Sequence, residues 1–284
     1  MIAQESYKLS NGISIPKLGL GTWFISDEDV VEAVKEAVKL GYRHIDTAQA
    51  YQNEAGVGKG IKESGIAREE LFITSKVAAE HKTFETASAS IDETLEKMGL
   101  EYIDMMIIHS PKPWAEYSGS DRYFEGNREA WKALEEAYKA GKVKAIGVSN
   151  FQKEDLENIL SAAEIKPMVN QVLAHISNTP EDLIAYCKEQ GILVEAYSPI
   201  GHGELFKNEE VAAMAKKYEV SIPQLAIRYC LQLGLLPLPK TANPGHMANN
   251  ADLDFEISAE DLVSLRNMEK IEDYGEASVF PVYQ

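Results

Sequence analysis

The chain has 284 residues, 45% hydrophobic and 26% charged, with a formal net charge of −17. That balance suits a folded globular protein and excludes a largely disordered one, and so acidic a surface argues against nucleic-acid or anionic-membrane partners, which need clustered Lys and Arg. The start, MIAQESYKLSNG, lacks a basic region followed by an apolar run, and no stretch approaches the roughly 20 apolar residues that cross a bilayer; the expectation is a cytoplasmic protein.

In chain order, YKLSNGISIP reads as a β-hairpin whose Asn11-Gly12 turn supplies the positive φ angles of a two-residue loop. LGLGT (18–22) reads as the first strand of a repeating cadence: an amphipathic helix, a Gly able to end it in a left-handed conformation, then a short apolar strand with a polar exit. VVEAVKEAVKLG leads to YRHIDT, the segment ending at Gly65 to LFITSK, IDETLEKMG to LEYIDMMIIHS, and REAWKALEEAYKAG to KVKAIGVSN. MVNQV (168–172) is the next strand, after which EDLIAYCKEQG leads to ILVEAYS and PQLAIRYCLQLG to LLPLPK. Thr179-Pro180-Glu181-Asp182 offers a helix start with a capping hydroxyl, Ser221-x-x-Gln224 has the capping-box form, and Ser258-x-x-Asp261 approximates it. Cys187 and Cys230, the only cysteines, sit inside helical patterns without metal-type spacing and are expected to be reduced core thiols.

Strands separated by helices cannot pair as hairpins, so they lie parallel beneath a helical layer. Eight such units imply an α/β (β/α)8 TIM barrel with an N-terminal hairpin and extra C-terminal helices, in one domain over residues 1–284. A doubly wound open sheet would want a Gly-rich turn after its first strand; GVGKG (56–60) follows YQNEA instead and lacks the GxGxxG spacing.

Barrel active sites assemble at the carboxyl ends of different strands. Those exits carry Asp46 with Tyr51 nearby, Lys76, His109, Ser149-Asn150, Gln171, Tyr197-Ser198 and Lys240-Thr241. Asp46 alone has a competing reading as a helix cap. A free tyrosine titrates near 10; a neighbouring ammonium is expected to lower that by about 1–3 units, and a carboxylate would keep the ammonium charged and aimed. Asp46, Lys76 and Tyr51 therefore form a candidate proton relay, with His109 placed to orient a carbonyl oxygen. Metal hydrolysis would need His and carboxylate ligands at several exits, where only Asp46 and His109 qualify, and neither HExxH nor GxSxG occurs. No metal is expected. His44 reads as a packing or hydrogen-bonding residue, and His81, His175 and His202 receive no catalytic role.

Together LGLGTW, GYRHIDTAQAYQNEAGVG, LFITSKV, YIDMMIIHSP, GVSNF, AYSPIG and LPKT resemble the aldo-keto reductase family from about residue 7 to about residue 270. Within it the chain is similar to bacterial members of the 2,5-diketo-D-gluconate reductase branch. The resemblance implies an NAD(P)H-dependent reductase of small aldehydes or ketones, with Tyr51 as general acid, Lys76 and Asp46 tuning it, and His109 orienting the substrate. It also implies that Tyr197 stacks on the nicotinamide and that Ser149, Asn150 and Gln171 bond its carboxamide. Gly21, Thr22, Asp46, Ser198, Pro199 and Ile200 would complete the cofactor contacts, with Lys240, Thr241, His246 and Asn250 at the adenosine phosphate end. Trp23 and Trp114, with Tyr51 and His109, would line the substrate pocket, the loop from about 110 to 126 forming one rim and the tail EDYGEASVFPVYQ covering the mouth.

Two departures stand out. His246, in KTANPGHMANN, replaces the Arg that the family motif places six residues beyond the Lys, which implies that NADPH is accepted with relaxed discrimination against NADH. Ser110 stands where many relatives carry a Trp, with Trp114 four residues later. The rival reading is a non-catalytic NADP(H)-binding barrel acting as a sensor or subunit; a tuned phenol favours catalysis.

Overall fold

The computed structural model describes residues 2–283; Met1 and Gln284, the outer bounds of the expected domain, lie outside them. Strands β1 (Ser6–Lys8) and β2 (Ser14–Pro16) pair antiparallel with Tyr7 opposite Ile15. The barrel strands follow: β3 (Gly19–Gly21), β4 (His44–Asp46), β5 (Phe72–Val77), β6 (Ile103–Ile108), β7 (Val143–Ser149), β8 (Val169–Leu173), β9 (Leu193–Tyr197) and β10 (Leu236–Leu238). Each pairs in parallel with its sequence neighbours to give one eight-stranded sheet. The ring closes where Gly21 N donates to Pro239 O at 3.0 Å, beside a parallel bridge from Gly21 to Lys240. Strands covered on both faces are buried along their whole length, as β5 and β6 are at every position, so the polar Thr74, Ser75, Lys76 and Asp104 within them must all find partners inside the protein.

The helices that cover the sheet are α1 (Asp29–Lys39), α2 (Glu54–Glu63), α3 (Phe84–Met98), α4 (Phe124–Lys139), α5 (Lys153–Leu160) and α6 (Glu181–Glu189). Helices α7 (Glu209–Lys217) and α8 (Ile222–Gln232) share one crossover, and α9 (Pro244–Ala251) and α10 (Ala259–Arg266) follow the last strand. Helix α1 shows why they form: Val30, Val31, Val34, Ala37 and Val38 recur at helical spacing and are buried, Val30 and Val34 facing α2. The six glycines of the repeating cadence, Gly41, Gly65, Gly99, Gly141, Gly191 and Gly234, all adopt positive φ, from 63° at Gly99 to 96° at Gly41. They end helices in a conformation that costs other residues energy. Cys187 and Cys230 are buried free thiols, which burial pushes up to about 11 and about 12.

Two local expectations need correction, and a third is met in part. In the hairpin only Gly12 has positive φ; Gly12 N donates to Leu9 O and Leu9 N to Ile13 O. The loop is therefore the three residues Ser10 to Gly12. Thr179 does not cap α6, because its hydroxyl donates to His175 O and pairs with Tyr229 OH. At Ser258 only half of the capping box forms: the Ser hydroxyl accepts from Asp261 N, but the Asp261 carboxylate is taken by Lys217 and Tyr218. The box at Ser221 and Gln224 is complete.

The glycines of GVGKG serve packing. A Cβ at Gly56 would lie 2.0 Å from Asp27 O, one at Gly58 2.1 Å from Met98 O, and one at Gly60 2.9 Å from Val31 O. Helix α2 thus approaches α1 and the end of α3 more closely than any side chain allows. Gly58→Ala, which gains about 1 kcal/mol of helix propensity in isolation, should instead lower unfolding free energy by about 1–3 kcal/mol through overpacking; urea denaturation at equilibrium measures it.

Candidate active site

The register of β4 and β5 brings Asp46 level with Thr74, two residues before Lys76. Lys76 is wholly buried, and its three hydrogens find three acceptors: Asp46 Oδ1 at 2.6 Å, Thr47 O at 2.9 Å and Tyr51 OH at 3.3 Å. Tyr51 arrives through the 3-10 turn Gln49–Tyr51 that follows β4. Asp46 is no helix cap; its second oxygen accepts from Gln171 Nε2 at 2.8 Å. Burial works against the Lys76 charge, but attraction and hydrogen bonds from Asp46 and Tyr51 outweigh it and hold the ammonium above its ordinary pKa.

The expected net fall in the Tyr51 pKa is not found. Burial pushes the phenol above its ordinary value, Lys76 pulls it back, and Asp46 pushes it up again. Lost hydration of a phenolate outweighs one ammonium that is itself neutralised by Asp46. The phenol is consequently protonated at neutral pH, as a proton donor must be.

His109 follows β6, its ring edge-on to Tyr51 at 5.6 Å and to Trp114 at 5.1 Å. Burial holds this imidazole well below its ordinary pKa, with Lys76 adding to the effect. Its Nδ1 is buried with no hydrogen-bond partner among the described residues. The neutral ring then best carries its proton on Nε2, a donor for a carbonyl oxygen. His44, also neutral, is pushed down to about 3 by burial and bonds Thr74 Oγ1 through Nε2 at 3.0 Å, in keeping with a structural role.

Beside His109, Asn150 Nδ2 donates to His109 O and Ser149 Oγ, both at 3.1 Å, and its Oδ1 accepts from Tyr197 OH at 2.7 Å. Ser149 Oγ donates to Gln171 O at 2.8 Å. Gln171 Nε2 also reaches Glu195 Oε2 at 2.8 Å. Sequence reading missed Glu195, a fully buried acid on β9 that burial, with Asp46, pushes up to about 8. Its signal was available: in ILVEAYS it stands two positions before Tyr197, on the same side of the strand.

Asp46, Tyr51, His109, Ser149, Asn150, Gln171 and Tyr197 border a cavity of about 590 Å³, and Lys76 and Glu195 reach it only through these neighbours. The β3 exit contributes Gly21, Thr22 and Trp23; the β9 exit contributes Tyr197, Ser198, Pro199 and Ile200; Lys240, bridged to Gly21, joins them. Tyr51, Trp23 and Trp114 do form an aromatic wall, with 6.4 Å between the Trp23 and Tyr51 rings. Thr241, His246 and Asn250 do not border this cavity. Thr241 Oγ1 and the Asn243 side chain organise the start of α9, where His246 is exposed and Asn250 buried. Unanticipated lining comes from Phe24, His202 and Phe206. The tail adds Phe280, 5.0 Å from Trp23, and Tyr283, whose hydroxyl pairs with Ser198 Oγ at 2.9 Å.

Two buried amides hold the rims. Asn53 Nδ2 donates to Thr22 O and Ile25 O while its Oδ1 accepts from Thr47 Oγ1, tying the β3 exit to that of β4. Asn127 Nδ2 donates to Pro111 O and Arg122 O, and Lys82 Nζ donates to Ser110 O and Asn127 Oδ1, so both ends of the Trp114 loop meet at one point.

The aldo/keto reductase family model matches residues 17–270. The chain belongs to the aldo-keto reductase family. It is 46% identical over 274 residues to a glyoxal reductase of Bacillus subtilis, covering 96% of this chain and 95% of that protein. An aldehyde reductase of Saccharomyces cerevisiae is 36% identical, with 99% and 98% covered. The structure of a Bombyx mori aldo-keto reductase in complex with NADP superposes with a TM-score of 0.85 at 33% identity, covering 98% of each chain. This aldo-keto reductase is accordingly an enzyme that reduces the carbonyl of a small substrate with a nicotinamide cofactor. Its residues fit that group: a polar trio and an aromatic ring border the cavity beside the phenol, and exposed Lys240 has no ion-pair partner among the described residues.

Glu195 makes stability depend on pH. Its folded pKa of about 8 exceeds the ordinary 4.5, so the native state holds more protons between those values, and stability falls as pH rises through that window. Glu195→Gln, which cannot ionise, should gain on the parent protein by an amount growing to a few kcal/mol, on the order of magnitude set by such shifts, between about pH 5 and about pH 9. Urea unfolding at both pH values measures this gain.

Proposed function

We propose that this aldo-keto reductase takes NADPH, and NADH with less discrimination than a strict NADPH enzyme, to reduce small aldehydes, ketones and α-dicarbonyls such as the glyoxal in its bacterial relative's name. The observation that carries the reading is the Tyr51 hydroxyl 3.3 Å from a fully buried, Asp46-neutralised Lys76 at the cavity floor. When bound, the reduced nicotinamide supplies hydride to the carbonyl carbon. Tyr51 donates its proton to the carbonyl oxygen as charge develops there, a contribution of about 10²–10⁴ in rate for a placed acid. Lys76 stabilises the phenolate left behind, and Asp46 holds Lys76 in place without accepting its proton. His109 Nε2 orients the carbonyl, and the wall of Trp23 and Trp114 excludes water.

In the same reading Tyr197 stacks on the nicotinamide ring, and Ser149, Asn150 and Gln171 meet its carboxamide. Gly21, Thr22, Ser198, Pro199 and Ile200 run beside the dinucleotide. Lys240 and Thr241 meet the 2′-phosphate with His246 and Asn250 near the adenine, which reconciles a net charge of −17 with a polyanionic cofactor through one local cationic end. The single barrel domain would act as a cytoplasmic monomer. A non-catalytic binder would have no use for a buried ammonium aimed at a phenol.

Tyr51→Phe should leave the dissociation constant for NADPH within about twofold and cut turnover by at least about 10², read by calorimetric titration and by absorbance of the reduced nicotinamide; persisting reduction removes the proton-donor assignment. His246→Arg should raise the NADPH-to-NADH ratio of kcat/KM by about tenfold or more, the scale of a charge-assisted hydrogen bond to phosphate, and an unchanged ratio removes the role given to position 246.

A further inference from the structure

Glu195 is a buried acid to which the chemistry above assigns no task. It is the register partner of Gln171 across β8 and β9. Gln171 Nε2 lies 2.8 Å from Glu195 Oε2 and 2.8 Å from Asp46 Oδ2, so both hydrogens of that nitrogen are committed to carboxyl oxygens. The polar atom Gln171 retains for the cavity it borders is its carbonyl oxygen, Oε1. The flipped amide would aim that oxygen at Asp46 Oδ2, the carboxyl ion-paired with Lys76, and is excluded by that contact. Neighbouring donors are also committed, Ser149 Oγ to Gln171 O and Asn150 Nδ2 to His109 O and Ser149 Oγ. What a carboxamide meets on this side is an acceptor.

We propose that Glu195 is a positioning residue for nicotinamide capture: with Asp46 it takes both hydrogens of the Gln171 amide and so presents Gln171 Oε1 to the carboxamide nitrogen of the cofactor. The proposal rests on the reading of Gln171 as a carboxamide contact. Burial keeps Glu195 protonated at neutral pH, with Asp46 from β4 acting in the same direction and the Gln171 hydrogen bond and Lys76 from β5 opposing it. His44, also on β4, is uncharged, and β3, β8 and β10 carry no titratable side chain. A neutral acid orients Gln171 without placing a second negative charge beside Asp46. Glu195 Oε1 has no hydrogen-bond partner among the described residues, so the one contact that employs this acid is the one to Gln171.

Calorimetric titration of the full chain with NADPH, and separately with adenosine 2′,5′-bisphosphate, which lacks nicotinamide, tests this. Glu195→Leu should weaken NADPH binding roughly three- to tenfold, the scale of one hydrogen bond, and leave bisphosphate binding unchanged. Glu195→Gln keeps an acceptor for Gln171 and should return NADPH affinity to within about twofold of the parent. Equal loss for both ligands, no loss in Glu195→Leu, or loss that Glu195→Gln does not restore overturns the proposal. Glu195→Met serves the same comparison if the leucine variant does not fold. Gln171→Leu separates the two levels: undiminished NADPH binding there removes the carboxamide reading itself, whereas loss there with none in Glu195→Leu removes only the part given to Glu195.

Discussion

A fully buried ammonium with three acceptors is the constraint on which the mouth of this barrel depends. Lys76 has no water to fall back on, so Asp46, the Thr47 carbonyl and the Tyr51 hydroxyl must stand where its hydrogens point. Removing one partner of such a pair leaves an uncompensated buried charge, at a cost of about 3–5 kcal/mol. The same requirement that stabilises the site thereby sets its geometry. The phenol cannot turn away without leaving one ammonium hydrogen unpaired, and Asp46 cannot move without releasing Gln171.

Electrostatics at this depth runs against intuition drawn from isolated pairs. The ammonium does not make Tyr51 a strong acid, because its charge is already balanced by Asp46 and because a buried phenolate has lost its hydration. In the proposed mechanism its service is differential: it favours the phenolate only as the proton leaves, which is when stabilisation accelerates a reaction. The neutral states of His109, His44 and Glu195 follow from the same exclusion of water. One buried ion pair is surrounded by titratable groups that burial keeps uncharged.

The catalytic floor rests on strands, while the walls rest on amides and aromatic rings. Asn53 and Asn127 join backbone segments distant in sequence, and the tail closes over Trp23 through Phe280 and Tyr283. Rigid chemistry at the strand ends and an adjustable wall around it is the division a barrel permits, since loops can vary without disturbing the sheet.

The sequence by itself determined the cadence of helix, glycine and strand, and with it the positions of Asp46, Lys76, His109 and Gln171 at one mouth. Those follow from periods of 3.6 and 2 and from the rule that parallel strands share an exit side, all local or topological properties. It also carried Tyr51, five residues past a strand end, because the motif around it is contiguous. The tertiary structure alone decided what depends on the space between segments: Glu195 beneath Gln171, the tail hydroxyl on Ser198, and the direction of the Tyr51 pKa. It likewise decided that the glycines of GVGKG admit neighbouring backbones, and that Thr179 bonds Tyr229 rather than capping a helix. Periodicity reports which way a side chain faces; only the packed fold determines what it meets there and how much water remains.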